Sequence, residues 1–263
     1  MLRLEQLFAE PTLERFRAES FGKEFRKIRT KDGIVDKLLR EQDVQNLLAH
    51  PNLKAERIHV VRANDDSDSE FAREHYSDVQ TGRIYPDKIM EQFQQGAAVV
   101  ITLAHHLSKP LWSLSRAISR GFDEMVNVNI FYGPPGSYGF RNHVDHHDVF
   151  AIQTDGEKHW AIYNPTETDP LVLPDHLGPP PTSDPVFDET VKVGDILYMP
   201  KGYWHHAKAS LDSPTVHVSC GVQPLSMIHF LGWLRTRMLA NSQFRTEVPR
   251  FGEGELLKAY VSK

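Results

Sequence analysis

From residue 97 onward the chain breaks into short apolar runs, "AAVVITLA", "MVNVNIFY", "HDVFAIQT", "KHWAIYN", "DILYMP" and "TVHVSCGV", separated by clusters of Gly, Pro and Asp. Short runs that recur after turn residues fit a β-sandwich or barrel. One helical pattern interrupts them around residues 110–121. The proline-rich stretch 165–185 is too stiff for a central strand and reads as a loop.

Upstream the periodicity is helical. Leu4, Leu7, Phe8, Leu13 and Phe16 recur at helical spacing, and "IVDKLLREQDVQNLLAHP" continues the pattern until Pro51 stops it. "RIHVVRA" (57–63) is a strand candidate and "DDSDSE" (65–70) a solvated acidic loop. "PDKIMEQFQQG" is a helix with Pro86 near its start and Gly96 at its end. After Pro224, "LSMIHFLGWLRTRMLANSQF" is helical with a wide apolar stripe. The expected division is an N-terminal helical region with the first strands over 1–96, a β-rich core over 97–224 and a helical segment over 225–263.

Composition narrows what such a chain can do. The formal charge of −5 gives no general attraction to nucleic acid or to an anionic membrane, so neither is an expected partner. No apolar run approaches the roughly 18 residues of a membrane span, and the acidic, amphipathic N-terminus is unlike a secretory signal. Cys220 is the single cysteine, which excludes an intrachain disulfide and a cysteine-built metal cage and fits the cytoplasm. Any metal must be held by histidine and carboxylate.

The stretch "GFRNHVDHHDVFAIQTDGEKHW" supplies both in a segment that otherwise reads as strand. His143 and Asp145 are two apart and leave the same face, about 6.6 Å apart along the chain. His147 shares that parity but lies about 13 Å from His143 on a straight strand, too far for one ion. A third ligand should come from "VGDILYMPKGYWHHA", where a strand ends at Pro200, turns through Gly202 and presents His205 and His206; adjacent residues face opposite ways, so one of the two reaches inward. Two imidazoles and one carboxylate form a facial triad that leaves positions open on an octahedral Fe(II). A His-x-Asp pair alone is better explained by a solvated strand edge, and it is the β-rich context and the distal Gly-x-x-His after a Pro corner that favour a metal. His105, His106, His146, His176 and His229 read as surface or core-rim residues.

Asp155-Gly156 is a strong hairpin signal. Pairing centred there sets Gln153 opposite Lys158, Ala151 opposite Trp160 and Val149 opposite Ile162, which puts Lys158 among apolar neighbours. A lysine on an interior face is costly unless it meets an anion, and a small dicarboxylate would serve; a solvated hairpin with Lys158 pointing outward is the alternative. For Lys158 to approach a metal the strand must bend between Asp145 and Val149, at "HHD".

The stretches "VNVNIFYGPPGSYGFRNHVDHHDVFAIQTDGEKHWAIYNP", "VKVGDILYMPKGYWHHAKA" and "VHVSCGV" resemble the JmjC-type cupin oxygenases that include the ribosomal oxygenases. "DGIVDKLLREQDVQNLLAHPNLKAERIHVVRAN" and "GRIYPDKIMEQFQQGAAVVIT" extend the resemblance over roughly residues 1 to 225. It implies a mainly β fold with helical additions: a double-stranded β-helix (cupin, jelly-roll) core, an N-terminal helical cap and C-terminal helices. It implies an iron triad of His143, Asp145 and His205, with Lys158 on the distal carboxylate of 2-oxoglutarate and Asn129 and Ser219 lining the same pocket. Tyr138 and Trp204 are candidate pocket-wall residues.

The resemblance further implies an Fe(II)- and 2-oxoglutarate-dependent dioxygenase that uses molecular oxygen to hydroxylate an amino-acid side chain in a protein or peptide, or a small natural product. In that family a dimerisation region and a winged-helix domain follow the core; residues 225–263 leave room for the helical part alone. The stripe Leu225, Ile228, Leu231, Trp233, Leu234 and Met238 suggests a homodimer face. A non-redox cupin holding Zn, Mn or Ni, and a binding module without catalysis, remain as alternatives.

Overall fold

Alternation in the second half of the chain builds strands at the expected places, and the computed structural model describes residues 2–64, 67–167 and 179–247. The first helices and strands are α1 (Leu13–Glu19), β1 (Arg26–Arg29), α2 (Glu41–Leu48), β2 (Ile58–Ala63) and β3 (Asp68–Glu70). Next come α3 (Pro86–Gln94), β4 (Ala98–Ile101), α4 (Lys109–Phe122), β5 (Met125–Gly133) and β6 (His143–Val144). They are followed by β7 (Asp148–Asp155), β8 (Lys158–Tyr163), β9 (Phe187–Val191), β10 (Asp195–Met199), β11 (Trp204–Ala209), β12 (Thr215–Gln223) and α5 (Met227–Leu239). The chain divides into two units, Met1–Pro224 and Leu225–Lys263. Of the proline-rich loop, residues 168–178, with His176, lie outside the described residues. No helix among the described residues is long and apolar enough to cross a membrane.

The strands form an antiparallel sheet of eight, ordered β1-β10-β7-β12-β5-β4-β2-β3, and a sheet of four, ordered β6-β11-β8-β9. Together they make the expected double-stranded β-helix. The central strands of the large sheet are buried on both faces, and period two sorts their side chains into two cores. Phe150, Ile152, Ile196, Tyr198, Val216 and Val218 belong to the larger core, which takes in Phe16 of α1 and Leu111, Leu114 and Ile118 of α4. The spacing of those α4 residues is the i, i+3, i+7 stripe of a helix lying on a sheet. Phe16 sits edge-on to Tyr198 at 4.8 Å. The opposite parity, Val149, Ala151, Leu197 and Met199, meets Trp160, Ile162 and Ala207 of the small sheet. Each buried side chain of this size contributes about 1.5–3 kcal/mol of transfer free energy, and both faces of the large sheet are thereby covered.

Two expectations need correction. The sequence Asp155-Gly156 does not join a hairpin: β7 pairs with β10 and β12, whereas β8 pairs with β11 and β9. Ala151 and Trp160, or Val149 and Ile162, do share an interior, but they face each other across it from different sheets. The turn instead carries the chain between sheets. Asp155 is held there because its Oδ2 accepts from the Glu41 backbone N–H at 3.0 Å, at the start of α2, where a carboxylate opposes the helix dipole. The second correction is local: within the acidic stretch, Asp68–Glu70 is a strand paired with β2.

Gly156 has φ +59°, and a Cβ there would lie 2.3 Å from the Pro214 carbonyl oxygen. Both the left-handed backbone and the backbone contact exclude a side chain. Gly156→Ala is expected to destabilise the fold by more than about 2 kcal/mol, lowering the melting temperature by at least about 4 °C. An unchanged thermal melt would show that this crossing tolerates a side chain.

Candidate metal centre

β6 and β11 are neighbours in the small sheet, and their register sets His143 directly opposite His205. Opposed residues project from one face with Cβ atoms about 5 Å apart, and the two imidazole centroids are 4.3 Å apart. Asp145 follows two residues after His143, and its Oδ2 comes within 3.6 Å of His205 Nε2. One ligand atom from each of His143, Asp145 and His205 lies within 4.8 Å of the others. No second such group of His, Cys, Asp or Glu occurs among the described residues.

The backbone fixes the tautomers. His143 Nδ1 is 2.8 Å from the Arg141 carbonyl and His205 Nδ1 is 3.0 Å from the Tyr203 carbonyl, each two residues upstream. A carbonyl only accepts, so Nδ1 carries a hydrogen in both rings, which leaves Nε2 as the ligand nitrogen. Burial, and then the His143 ring, lowers the His205 pKa to about 4 against the opposing pull of Asp145 and the Tyr203 carbonyl. His205 is therefore neutral at pH 7, and its approach to Asp145 is a juxtaposition of two ligand atoms, not an ion pair. Burial raises the Asp145 pKa, but His205 and His143, with His147 and His146, outweigh it and hold the carboxyl below its ordinary value. Two imidazole nitrogens and one carboxylate oxygen suit a divalent first-row metal with open positions.

After Asp145 the chain bends at His146 and His147 and passes from the small sheet into β7 of the large one, the corner expected at "HHD". A cavity of about 380 Å³ opens over the triad, lined also by Lys158, Asn129 and Ser219. Lys158 is 2% exposed and faces inward from the first position of β8. It makes no hydrogen bond or ion pair with any described residue, and burial lowers its pKa to about 7. Asn129 on β5 and Ser219 on β12 are directly opposite each other. The Asn129 Oδ1 accepts from the Leu103 N–H at 3.1 Å, which leaves its NH₂ group for the cavity.

Tyr138 and Trp204 do not line this cavity. Trp204 alternates to the other face of β11, where Nε1 donates to Thr166 Oγ1 at 3.0 Å, and Tyr138 lies under the Lys208 ammonium at 4.9 Å. The cavity wall also contains His147, Trp160 and His217, none of which the spacing arguments had placed there. Parity could have found His217, two residues before Ser219 on the same strand. His147 packs its ring against Gly221, where a Cβ would approach Cε1 and Nε2 to 3.0 Å.

Residues 102–230 match the JmjC domain. Ribosomal oxygenase 1 of Danio rerio is 28% identical over 141 residues, covering 52% of this chain and 26% of that protein. A bifunctional lysine-specific demethylase and histidyl-hydroxylase NO66 of Drosophila pseudoobscura pseudoobscura is 27% identical over 217 residues, covering 82% and 22%. The chain spans about a quarter of the length of these curated relatives. Among solved structures, YcfD, a ribosomal oxygenase from Escherichia coli in complex with cobalt and 2-oxoglutarate, aligns with a TM-score of 0.63 over 95% of this chain and 65% of that one. At 16% identity that likeness is one of fold.

Proposed function

From the match of residues 102–230 to the JmjC domain, we propose that the chain is an Fe(II)- and 2-oxoglutarate-dependent dioxygenase hydroxylating an amino-acid side chain in a protein or peptide. The observation that carries this reading is an unpaired, buried Lys158 ammonium in the same cavity as the open His143, Asp145 and His205 set. A buried cation without a partner is costly, and an anionic ligand that also reaches the metal gives it a purpose. A non-redox cupin would leave Lys158 unexplained.

His143, Asp145 and His205 would hold iron, Lys158 the distal carboxylate of 2-oxoglutarate, and Asn129 and Ser219 the wall between. Iron and 2-oxoglutarate, when bound, supply oxygen activation coupled to decarboxylation to succinate and transfer of one oxygen atom to a C–H bond. The chain's own part is to hold the three ligands on one face of the cavity and to orient the co-substrate from both ends, with Trp160 and Met199 in the cavity wall. The names of the relatives, ribosomal oxygenase and histidyl-hydroxylase, favour a protein substrate. The reading takes 1–96 as cap, 97–224 as catalytic core and 225–263 as a dimer-forming segment of a cytoplasmic homodimer. The homodimer rests on exposed Ile228, Leu231 and Trp233 of α5.

The test is an anaerobic titration of the full chain with Fe(II) and 2-oxoglutarate, followed by oxygen. A metal-to-ligand charge-transfer band and slow succinate release are expected. Absence of both would overturn the oxygenase reading.

A further inference from the structure

The concave face of the large sheet carries a ladder of opposed residues from β12 and β5: Thr215 with Gly133, His217 with Phe131, Ser219 with Asn129. Same-face steps along a strand are about 6.6 Å. The Lys158 Nζ lies over the first rung, 4.0 Å from where a Gly133 Cβ would stand. His217 is the next rung, between the lysine and the Ser219–Asn129 pair.

His217 is 5% exposed and its ring is clamped. It stacks on Phe131 at 4.6 Å with planes 9° apart, and Trp160 of β8 meets it edge-on at 5.3 Å. Its Nδ1 is buried with no hydrogen-bond partner, which leaves Nε2 as the nitrogen on the cavity side. Burial, then the Lys158 ammonium and the His205 ring, holds the imidazole well below its ordinary pKa, so the ring is neutral and carries one N–H. A buried N–H without an acceptor is the rarer and costlier defect, so the proton belongs on Nε2, and Nδ1 is the bare lone pair.

Resting on the dioxygenase reading, we propose that His217 is a co-substrate-binding residue: its Nε2–H donates to the distal carboxylate of 2-oxoglutarate beside Lys158. Lys158 supplies the charge and His217 a directed donor from the opposite sheet, so the carboxylate is fixed in orientation as well as in place. A neutral ring is what the position requires, since a second cation would repel the first.

His217→Phe keeps the stack on Phe131 and removes the donor, and His217→Gln returns an amide donor. Anaerobic titrations of wild type and both variants with Mn(II), 2-oxoglutarate and 2-oxovalerate, which lacks the distal carboxylate, separate the possibilities. His217→Phe is expected to weaken 2-oxoglutarate on the order of tenfold or more, with Mn(II) and 2-oxovalerate affinities unchanged and His217→Gln recovering most of the loss. Independently of any variant, long-range ¹⁵N spectra of the wild-type chain should show His217 as the Nε2–H tautomer, its Nε2 resonance moving when 2-oxoglutarate is added to the Zn(II)-loaded protein. Equal 2-oxoglutarate affinity in His217→Phe, an equal loss for 2-oxovalerate, or an Nδ1–H tautomer would overturn the assignment while leaving the dioxygenase reading intact. A wild type that binds no 2-oxoglutarate would overturn both.

Discussion

Lys158→Met is expected to stabilise the apo-protein and to abolish co-substrate binding, two opposite effects from one side chain. Moving the lysine pKa from 10.5 to about 7 means that the folded state gives up a proton that the unfolded chain keeps. The unfolded state therefore binds more protons between pH 7 and 10.5, and stability rises with pH across that window. Below about pH 7 the charged, unpaired ammonium carries its full penalty, on the order of 3–5 kcal/mol. Methionine fills similar volume without charge, so the apo-protein at pH 7 should melt roughly 5–15 °C higher and lose the rise in stability toward pH 10. The same change removes the cation from the carboxylate, weakening 2-oxoglutarate about a hundredfold or more. Thermal melts across pH and anaerobic titration measure both. A destabilised variant that still binds 2-oxoglutarate would mean that Lys158 serves the fold and not the ligand.

Asp145→Ala should remove metal binding while leaving the fold in place. Asp145 contributes the only negative charge of the triad, and its removal leaves two neutral imidazoles that cannot compensate a divalent cation. Its side chain keeps 31% of its surface exposed and lies at the corner between β6 and β7, outside either apolar core. The apo melting temperature should therefore change by no more than a few degrees. Affinity for Mn(II) or Fe(II), read by calorimetry or by the charge-transfer band, should fall by at least about a thousandfold, more than the 10–100-fold typical of losing a partner that only orients a ligand. Retention of metal at near wild-type affinity would place the ion elsewhere and dissolve the triad.

How far the sequence reached depends on what each signal physically encodes. Period two reports which residues share a face, and it grouped Lys158 with Trp160 and Ile162, all of them buried, but it left open whether that face turned inward until the family resemblance gave Lys158 a role. It carries nothing about which strand lies alongside, so the Asp155-Gly156 turn suggested a hairpin where the chain changes sheets. β1 and β9 went unforeseen for a related reason. Both are edge strands, "RKIR" and "FDETV", with mixed burial and no apolar alternation to notice. The triad was legible because His143 and Asp145 are local, while the placement of His205 came from the family resemblance. Its register against His143 became visible only in the folded sheet. His217 hid inside the apolar run "TVHVSCGV", where only its parity with Ser219 marks it. Its meaning lies in what surrounds it: Phe131 across the ladder and Trp160 from the other sheet.

The distribution of the site between the two sheets has a mechanical consequence. His143, His205 and Lys158 stand on the small sheet, whereas Asn129, His217 and Ser219 stand on the large one, and apolar side chains fill the interior between the two faces. A co-substrate gripped from both sides acts as a cross-tie across the mouth of the barrel. On the proposed reading, 2-oxoglutarate would add one contact between the sheets while it is bound and remove it when succinate departs.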